Sequence, residues 1–341
     1  MYKHFSQLIC ILFLLFSSIT IVQAKTFKIA TLSPEGSDWM QKMRAGAKEI
    51  KQKTNGRVKF KFYPGGVMGD DQAVLRKIRI GQLHGGALGG GSLIKANSNY
   101  SVYGLLLTYK NQGEINYVRK TIDSIIKKGF EKGGYTILGM AESGFVYSMS
   151  AKQAIPSVEL LRQQKVWAPS NDKMGQETLQ SFGVTAIPLP YGDVLAALQT
   201  GLIDTVAMSP IGAIALQWYT QIKYITDMPL LYSFGILTIN NKSFKKIKAN
   251  DQKIVRDVMN TVFLAIDSTN RKNNLEALEV LKKSGIQFIK PTGEDYKQWQ
   301  QLADKANKKL VKSGSLDKKL KEKVEQLLKE YRQKTLVNTQ T

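Results

Sequence analysis

The stretch Lys165–Pro210, KVWAPSNDKMGQETLQSFGVTAIPLPYGDVLAALQTGLIDTVAMSP, constrains this chain most, because its order of elements admits few folds. Lys165–Ala168 is a short extended run, and Pro169 keeps the residue before it out of a helix. Asp172 can cap a helix that runs through Phe182 and stops at Gly183. Val184–Leu189 is rich in β-formers, with Pro188 and Pro190 at its far end. Asp193–Thr200 places Val194, Leu195 and Leu198 on one side of a helix that Gly201 ends, and Ile203–Met208 is a third strand. Alternating strands and helices of this size predict a parallel sheet with covered faces. Ligands of such sheets sit beyond the carboxyl ends of the strands. Those ends carry Trp167, Pro190-Tyr191 and Met208-Ser209.

The N-terminal part repeats the pattern. Thr26–Thr31 is a strand, Ser33–Asp38 a capping turn, and Trp39–Lys53 a helix with Met40, Met43, Ala47 and Ile50 on one face. Val58–Tyr63 is a strand, Pro64-Gly65-Gly66 a tight turn, and Gly69-Asp70-Asp71 opens a helix through Ile80 that Gly81 closes. The run Gly85–Ser92 lacks both phosphate-loop spacings and reads as a strand end where backbone makes a close approach. Further on, Ile115–Lys128 is helical, and Thr136–Ala141 and Phe145–Ser150 are two strands. Ile211–Ile222 is a helix and Leu230–Asn240 a long strand. Asp251–Ser284 reads as one long helix, or as two broken near Asn270: Ile254, Val258, Val262 and Ile266 keep i+4 spacing, Leu275, Leu278 and Leu281 resume it, and Asp251 is the expected N-cap. Its middle, Asp267–Asn274, is almost wholly polar and is expected to face solvent on most sides. Gly285–Ile289 is a last strand, and Trp299–Tyr331 is a basic amphipathic tail expected to pack on the body.

Length and charge set the remaining bounds. The 341 residues suffice for about two domains with real cores. Lysine and arginine outnumber acids 49 to 27, but the excess is spread along the chain, which describes a solvated basic surface. No zinc-finger, RNP or basic-heptad pattern supports nucleic-acid binding. Lys3, the apolar run Leu8–Val22 and the small-residue pattern at Val22-Gln23-Ala24 read as a secretory signal peptide cleaved near Ala24. The only cysteine, Cys10, lies inside that run, so the mature chain has no thiol chemistry.

Catalysis finds little to work with. The mature chain holds one histidine, His84, beside the glycine run. Asp70-Asp71 could bind a cation, but acids after a glycine turn more often cap a helix. Two S-x-x-K matches lack the partner motifs of a penicillin-binding fold. No enzyme, metal or cofactor is expected, and binding fits the residues better than reaction.

PLPYGDVLAALQTGLIDTVAMSP, together with ATLSPEGSDW, PGGVMGDDQAVLRKIRIGQL and the later LLLTY, resembles the periplasmic solute-binding proteins of TRAP transporters, the DctP-type family. The resemblance covers most of the mature chain. It implies an α/β, type II-like, two-lobed periplasmic binding protein with central sheets, hinge strands and a long helix spanning both lobes. One lobe would comprise residues 25–147 and about 237–270, the other 148–236 and about 271–300, with 301–341 as a helical tail. It also implies a receptor that closes over a small organic solute and passes it to TRAP-type membrane permease subunits. A receptor for an ABC importer or sensor, or a periplasmic enzyme on the same scaffold, is the rival reading.

The chain departs from the family at the ligand clamp. In the family's K-[VI]-R-x-P pattern an arginine holds the ligand carboxylate; here Lys165-Val166-Trp167-Ala168-Pro169 puts Trp167 in its place. A second arginine of some members falls near Val146, the usual N-P pair is Ser209-Pro210, and the cleft acid of some members falls near Gly89. Indole offers one donor and a large apolar face, so it cannot replace a bidentate guanidinium. The expectation is a neutral, aromatic or apolar solute, not a C4-dicarboxylate. Trp167, Tyr191, Met208, Tyr232 and Phe234 are candidate walls; Ser33, Asp70, Gly89 and Ser209 are candidate polar contacts. Arg44, Arg76 and Arg79 are the cations that could still supply a clamp.

Overall fold

One strand and one long helix run through both halves of the molecule and hold them together. A computed structural model describes residues 24–170 and 172–340. The expected signal peptide lies outside the described residues.

The first lobe is built on a sheet ordered β2-β1-β3-β9-β4. β1 (Lys25–Thr31) pairs in parallel with β2 (Val58–Tyr63) and with β3 (Gly85–Gly89). β4 is Tyr135–Ser150; β5, β6, β7 and β8 are Trp167–Pro169, Ile187–Leu189, Thr205–Met208 and Tyr224–Thr226; β9 is Leu231–Asn240 and β10 Gln287–Ile289. β9 lies antiparallel to β3 on one side and to β4 on the other. Gly85 is required in β3 because β9 passes so closely that a Cβ there would sit 2.1 Å from the Thr238 carbonyl oxygen. The close approach expected of the glycine run is thus made to a neighbouring strand.

Helix Asp38–Lys53 covers one face of this sheet through Met40, Met43 and Ile50, which pack with Phe27, Ile29 and the first half of the long helix. Helix Asp71–Arg79 and helix Gln112–Lys132 cover the other through Val74, Ile78, Ile115, Val118 and Ile122. The tail joins them: Leu320, Val324, Leu327 and Leu328 of helix Lys318–Gln340 are buried in the same cluster.

The second lobe uses the end of β4. Tyr147–Ser150 pair antiparallel with β7, and Met149 and Ser150 with β8, which lies parallel to β10. β5 and β6 are parallel, and a bridge between Val166 and Thr205 ties them to β7. The parallel arrangement read from Lys165–Pro210 is therefore present. Asp172 caps helix Lys173–Ser181 by accepting the Gly175 N–H, and Gly201, at φ 70°, ends helix Val194–Thr200.

Three expectations differ from what is found. The two strands at Thr136–Ala141 and Phe145–Ser150 are one strand, bent by irregularities at Ile137/Gly139 and Glu142/Gly144, with Gly144 at φ 100°. The helix from Ile211 is only Pro210–Ala215, because Gln217 turns left-handed at φ 60° and a short 3-10 turn follows. The long helix is Ala249–Lys283, about 50 Å. Asp251 is its third residue and not its cap; its carboxylate takes a two-pronged bond from Arg57 at 2.8 and 2.9 Å.

Two residues in the polar middle of that helix are buried, while Ser268 and Lys272 face solvent. Asp267 is 5% and Asn270 2% exposed. They seat the helix on the bend of β4: the Glu142 N–H donates to Asp267 Oδ1, and Asn270 Nδ2 donates to the Glu142 carbonyl oxygen. Arg119 pairs with Asp267 and Asp123, Arg271 with Glu142, and the Tyr232 hydroxyl donates to Glu142. Burial of those acids is tolerable because every charge has an opposite partner.

Candidate functional site

The cleft lies where the carboxyl ends of β5 and β6 face the amino end of helix Asp71–Arg79. Asp70, Asp71, Gln72, Gly89 and Ser92 line it from the first lobe; Pro169, Ser170, Asp172, Pro190 and Tyr191 line it from the second. Its cavity is small, about 70 Å³, and open to solvent on one side. A second, more open hollow of about 540 Å³ lies beyond the ends of β8 and β10. It is walled by loop residues such as Lys110, Pro229 and Pro291.

Local sequence explains each wall. Asp70 accepts the Ala73 N–H at 2.7 Å and so starts the helix whose first turn carries Asp71. Asp71 Oδ2 accepts the Gly89 N–H at 2.8 Å, fastening the end of β3 to that helix, and the Ser92 hydroxyl donates to the Gly89 carbonyl oxygen at 2.7 Å. Across the cleft, Ser170 N–H donates to the Leu189 carbonyl oxygen at 3.1 Å, which joins the ends of β5 and β6. Asp172 follows as the cap of its own helix.

The electrostatics are one-sided. Three carboxylates line the cleft, from both lobes, and among the described residues no lysine, arginine or histidine side chain does. Burial pushes the Asp71 carboxyl up to about 6; the Gly89 N–H and the Ser92 hydroxyl pull against that rise, and Asp70 adds to it. Burial also raises Asp172, against the Gly175 N–H. The Tyr191 hydroxyl is pushed up by burial and then by the charges of Asp71 and Asp172, so it stays protonated. The two helix amino ends offer about half a positive charge each, which does not balance three acids.

Of the nine residues picked from sequence, Asp70, Gly89 and Tyr191 line this cleft. Trp167 stands behind it. It is 3% exposed, its Nε1–H donates to the Leu189 carbonyl oxygen at 3.0 Å, and its ring meets those of Tyr191 and Trp218 edge-on at 5.0 and 5.1 Å. Its one donor is consumed by its own lobe, and its ring supports the Tyr191 wall. Ser209 is buried and caps helix Pro210–Ala215, with its Oγ accepting the Gly212 N–H. Met208 packs against the second-lobe core. Tyr232 and Phe234 belong to the first-lobe core. Ser33 holds the turn after β1, where its carbonyl oxygen accepts the Gly65 N–H at 2.9 Å.

Sequence reasoning passed over Asp71, Ser92, Ser170 and Asp172 as lining residues. The GDD and PSND runs were the available signal, both placed at a strand end or helix start. Arg44 pairs with Glu35, and Arg76 and Arg79 are exposed on the helix surface, so none supplies a clamp. His84 lies away from the cleft; its Nδ1 accepts the Lys28 N–H at 3.0 Å, and burial and then Lys25, Lys28 and Lys246 hold its pKa down.

Comparison with known families decides the class. The model of DctP, the bacterial extracellular solute-binding proteins of family 7, matches residues 29–313. The chain belongs to this family. The sialic acid-binding periplasmic protein SiaP of Vibrio cholerae is 19% identical over 313 residues, spanning 87% of this chain and 92% of that protein. The 2,3-diketo-L-gulonate-binding periplasmic protein YiaO of Escherichia coli is 20% identical over 251 residues, spanning 70% and 73%. Among solved structures, a TRAP periplasmic solute-binding protein from Ralstonia eutropha H16 with bound (S)-2-acetolactate superposes with a TM-score of 0.82 at 19% identity, covering 89% of this chain and 99% of that one. Another, from Desulfovibrio salexigens with bound orotic acid, gives 0.79 at 21% identity, covering 90% and 99%. This DctP-family chain thus has the two-lobed α/β fold of TRAP solute receptors. Among its described residues no helix is long and apolar enough to cross a membrane.

Proposed function

We propose that this protein is a TRAP receptor, released into the periplasm after cleavage near Ala24, whose cleft closes over a small organic solute that is not a C4-dicarboxylate. It would hand that solute to TRAP-type membrane subunits. The reading rests on one observation: the cleft is lined by Asp70, Asp71 and Asp172, and no guanidinium lines it among the described residues. A carboxylate placed about 5 Å from one such acid is opposed by roughly 3 kcal/mol at an effective dielectric of about 20. That penalty is comparable to what a few neutral hydrogen bonds return, and so cancels them. SiaP, YiaO and the two solved relatives are named for acids or their anions, so this chain would depart from them in ligand class.

Neutral or apolar parts of the solute have Tyr191, Pro169 and Pro190 to lie against. Polar donors have the three acids and the hydroxyls of Ser92 and Ser170. Trp167 contributes by holding the Tyr191 ring in place. A thermal-shift screen of the mature protein tests this reading. Succinate, malate and sialic acid are expected to leave the melting temperature unchanged; stabilisation by one of them and by no uncharged or basic solute would refute it.

A further inference from the structure

We infer that the solute enters this cleft through a protonated nitrogen, held between Asp71 of one lobe and Asp172 of the other with Tyr191 beside it. The inference rests on the cleft being the solute site, as proposed above, and adds the charge of the ligand.

The acids stand on opposite walls. Asp71 belongs to the helix after β2, and Asp172 to the loop after β5. Closing the empty cleft brings carboxylates of both lobes together, and like charges oppose that motion. A cation between them removes the opposition and adds charge-assisted hydrogen bonds to both walls. Such a ligand binds the closed form better than the open one, which is the differential affinity that closure requires. A neutral solute would leave the repulsion in place, and an anion would increase it.

Tyr191 is an independent pointer. Tyr191 lines the cleft, and its hydroxyl feels both Asp71 and Asp172 and has no hydrogen-bond partner among the described residues. The ring is fixed by Trp167 edge-on at 5.0 Å and by Trp218 stacked at 6.1 Å and 17°. A rigid aromatic ring next to paired carboxylates is a favourable setting for an ammonium group. A bare metal ion is a poorer occupant, because no three His, Cys, Asp or Glu side chains converge to hold one among the described residues.

The test uses matched probes on the intact mature protein at pH 7.5. One set is benzylamine, benzyl alcohol and benzoate; the other is 1,4-diaminobutane, 1,4-butanediol and succinate. Titration calorimetry is expected to rank amine above alcohol above acid in each set. Asp71→Asn and Asp172→Asn are each expected to weaken the amine about tenfold and leave the alcohol nearly unchanged. Circular dichroism melts of both variants check that they fold. An amine response that is absent, or no larger than the alcohol's, overturns the inference. A response to the alcohols alone overturns the charge assignment and leaves the non-carboxylate reading standing. A response to benzoate or succinate alone removes both, and calcium chloride acting in place of the amines overturns the organic cation.

Discussion

A carboxylate walled in as Asp71 is, with the Gly89 N–H as its main compensation, loses hydration that it keeps in the unfolded chain. Its raised pKa has a definite consequence for stability. Between the ordinary value of 3.8 and about 6, the folded chain retains a proton that the unfolded chain has released. Stability therefore falls as pH rises through that window, and the whole cost is present above it. Asp71→Asn is expected to stabilise the unliganded protein by about 1 kcal/mol at neutral pH, discounted for solvent screening, and by nothing near pH 4. Thermal melts of both proteins across that range check this, and a gain independent of pH would contradict it. Trp167 behaves differently. Trp167→Ala removes a buried ring and the bond to Leu189, and should cost about 3–5 kcal/mol in urea unfolding. At this scale the sequence was partly legible. Asp70 and Asp172 were read as helix caps, which they are, but capping engages one oxygen and says nothing about what the other side of the residue faces. Asp71 reads from sequence as a possible cation ligand or a helix-start acid; its bond from the Gly89 N–H, 18 residues away, leaves no local signal.

Elements with local signals were readable, and those shaped by distant partners were not. Val58–Tyr63 follows from aromatics alternating with lysines, and the Lys173–Ser181 helix from its Asp172 cap. The polar middle of the long helix reads as solvated because nothing local reveals the opposing charges. Arg119 lies 148 residues from Asp267, and Glu142 lies 129 from Arg271. The bend in β4 looks like a break between two strands for the same reason: the strand β9 that holds it together lies about 90 residues on. This seam sits where β4 passes from one lobe to the other, so its loss should be felt by both. Asp267→Ala leaves Arg119 with Asp123 as its close partner and orphans the Glu142 N–H, and is expected to cost about 3 kcal/mol. Urea denaturation followed by tryptophan fluorescence reads the effect, and a loss below about 1 kcal/mol would show that Asp123 alone suffices for Arg119.

The whole molecule sets an acidic cleft inside a strongly basic body of formal net charge +22. At a distance the body repels a cation; within the cleft the neighbouring acids attract it. Salt screens the first over about 10 Å at 0.1 M and hardly touches the second. Association of benzylamine should therefore quicken as salt is added, the reverse of ordinary electrostatic steering, and stopped-flow tryptophan fluorescence can follow it. The covered parallel sheet was legible from the alternation of strand and helix in Lys165–Pro210, and the two-lobed plan from the family pattern around it. The charge of the cleft was not, because its acids come from segments about a hundred residues apart. The most direct test is to purify the mature protein from the periplasm under native conditions and identify the released solute by mass spectrometry. A solute with a protonatable nitrogen and no carboxylate is predicted; a dicarboxylate or a sugar acid would contradict the account.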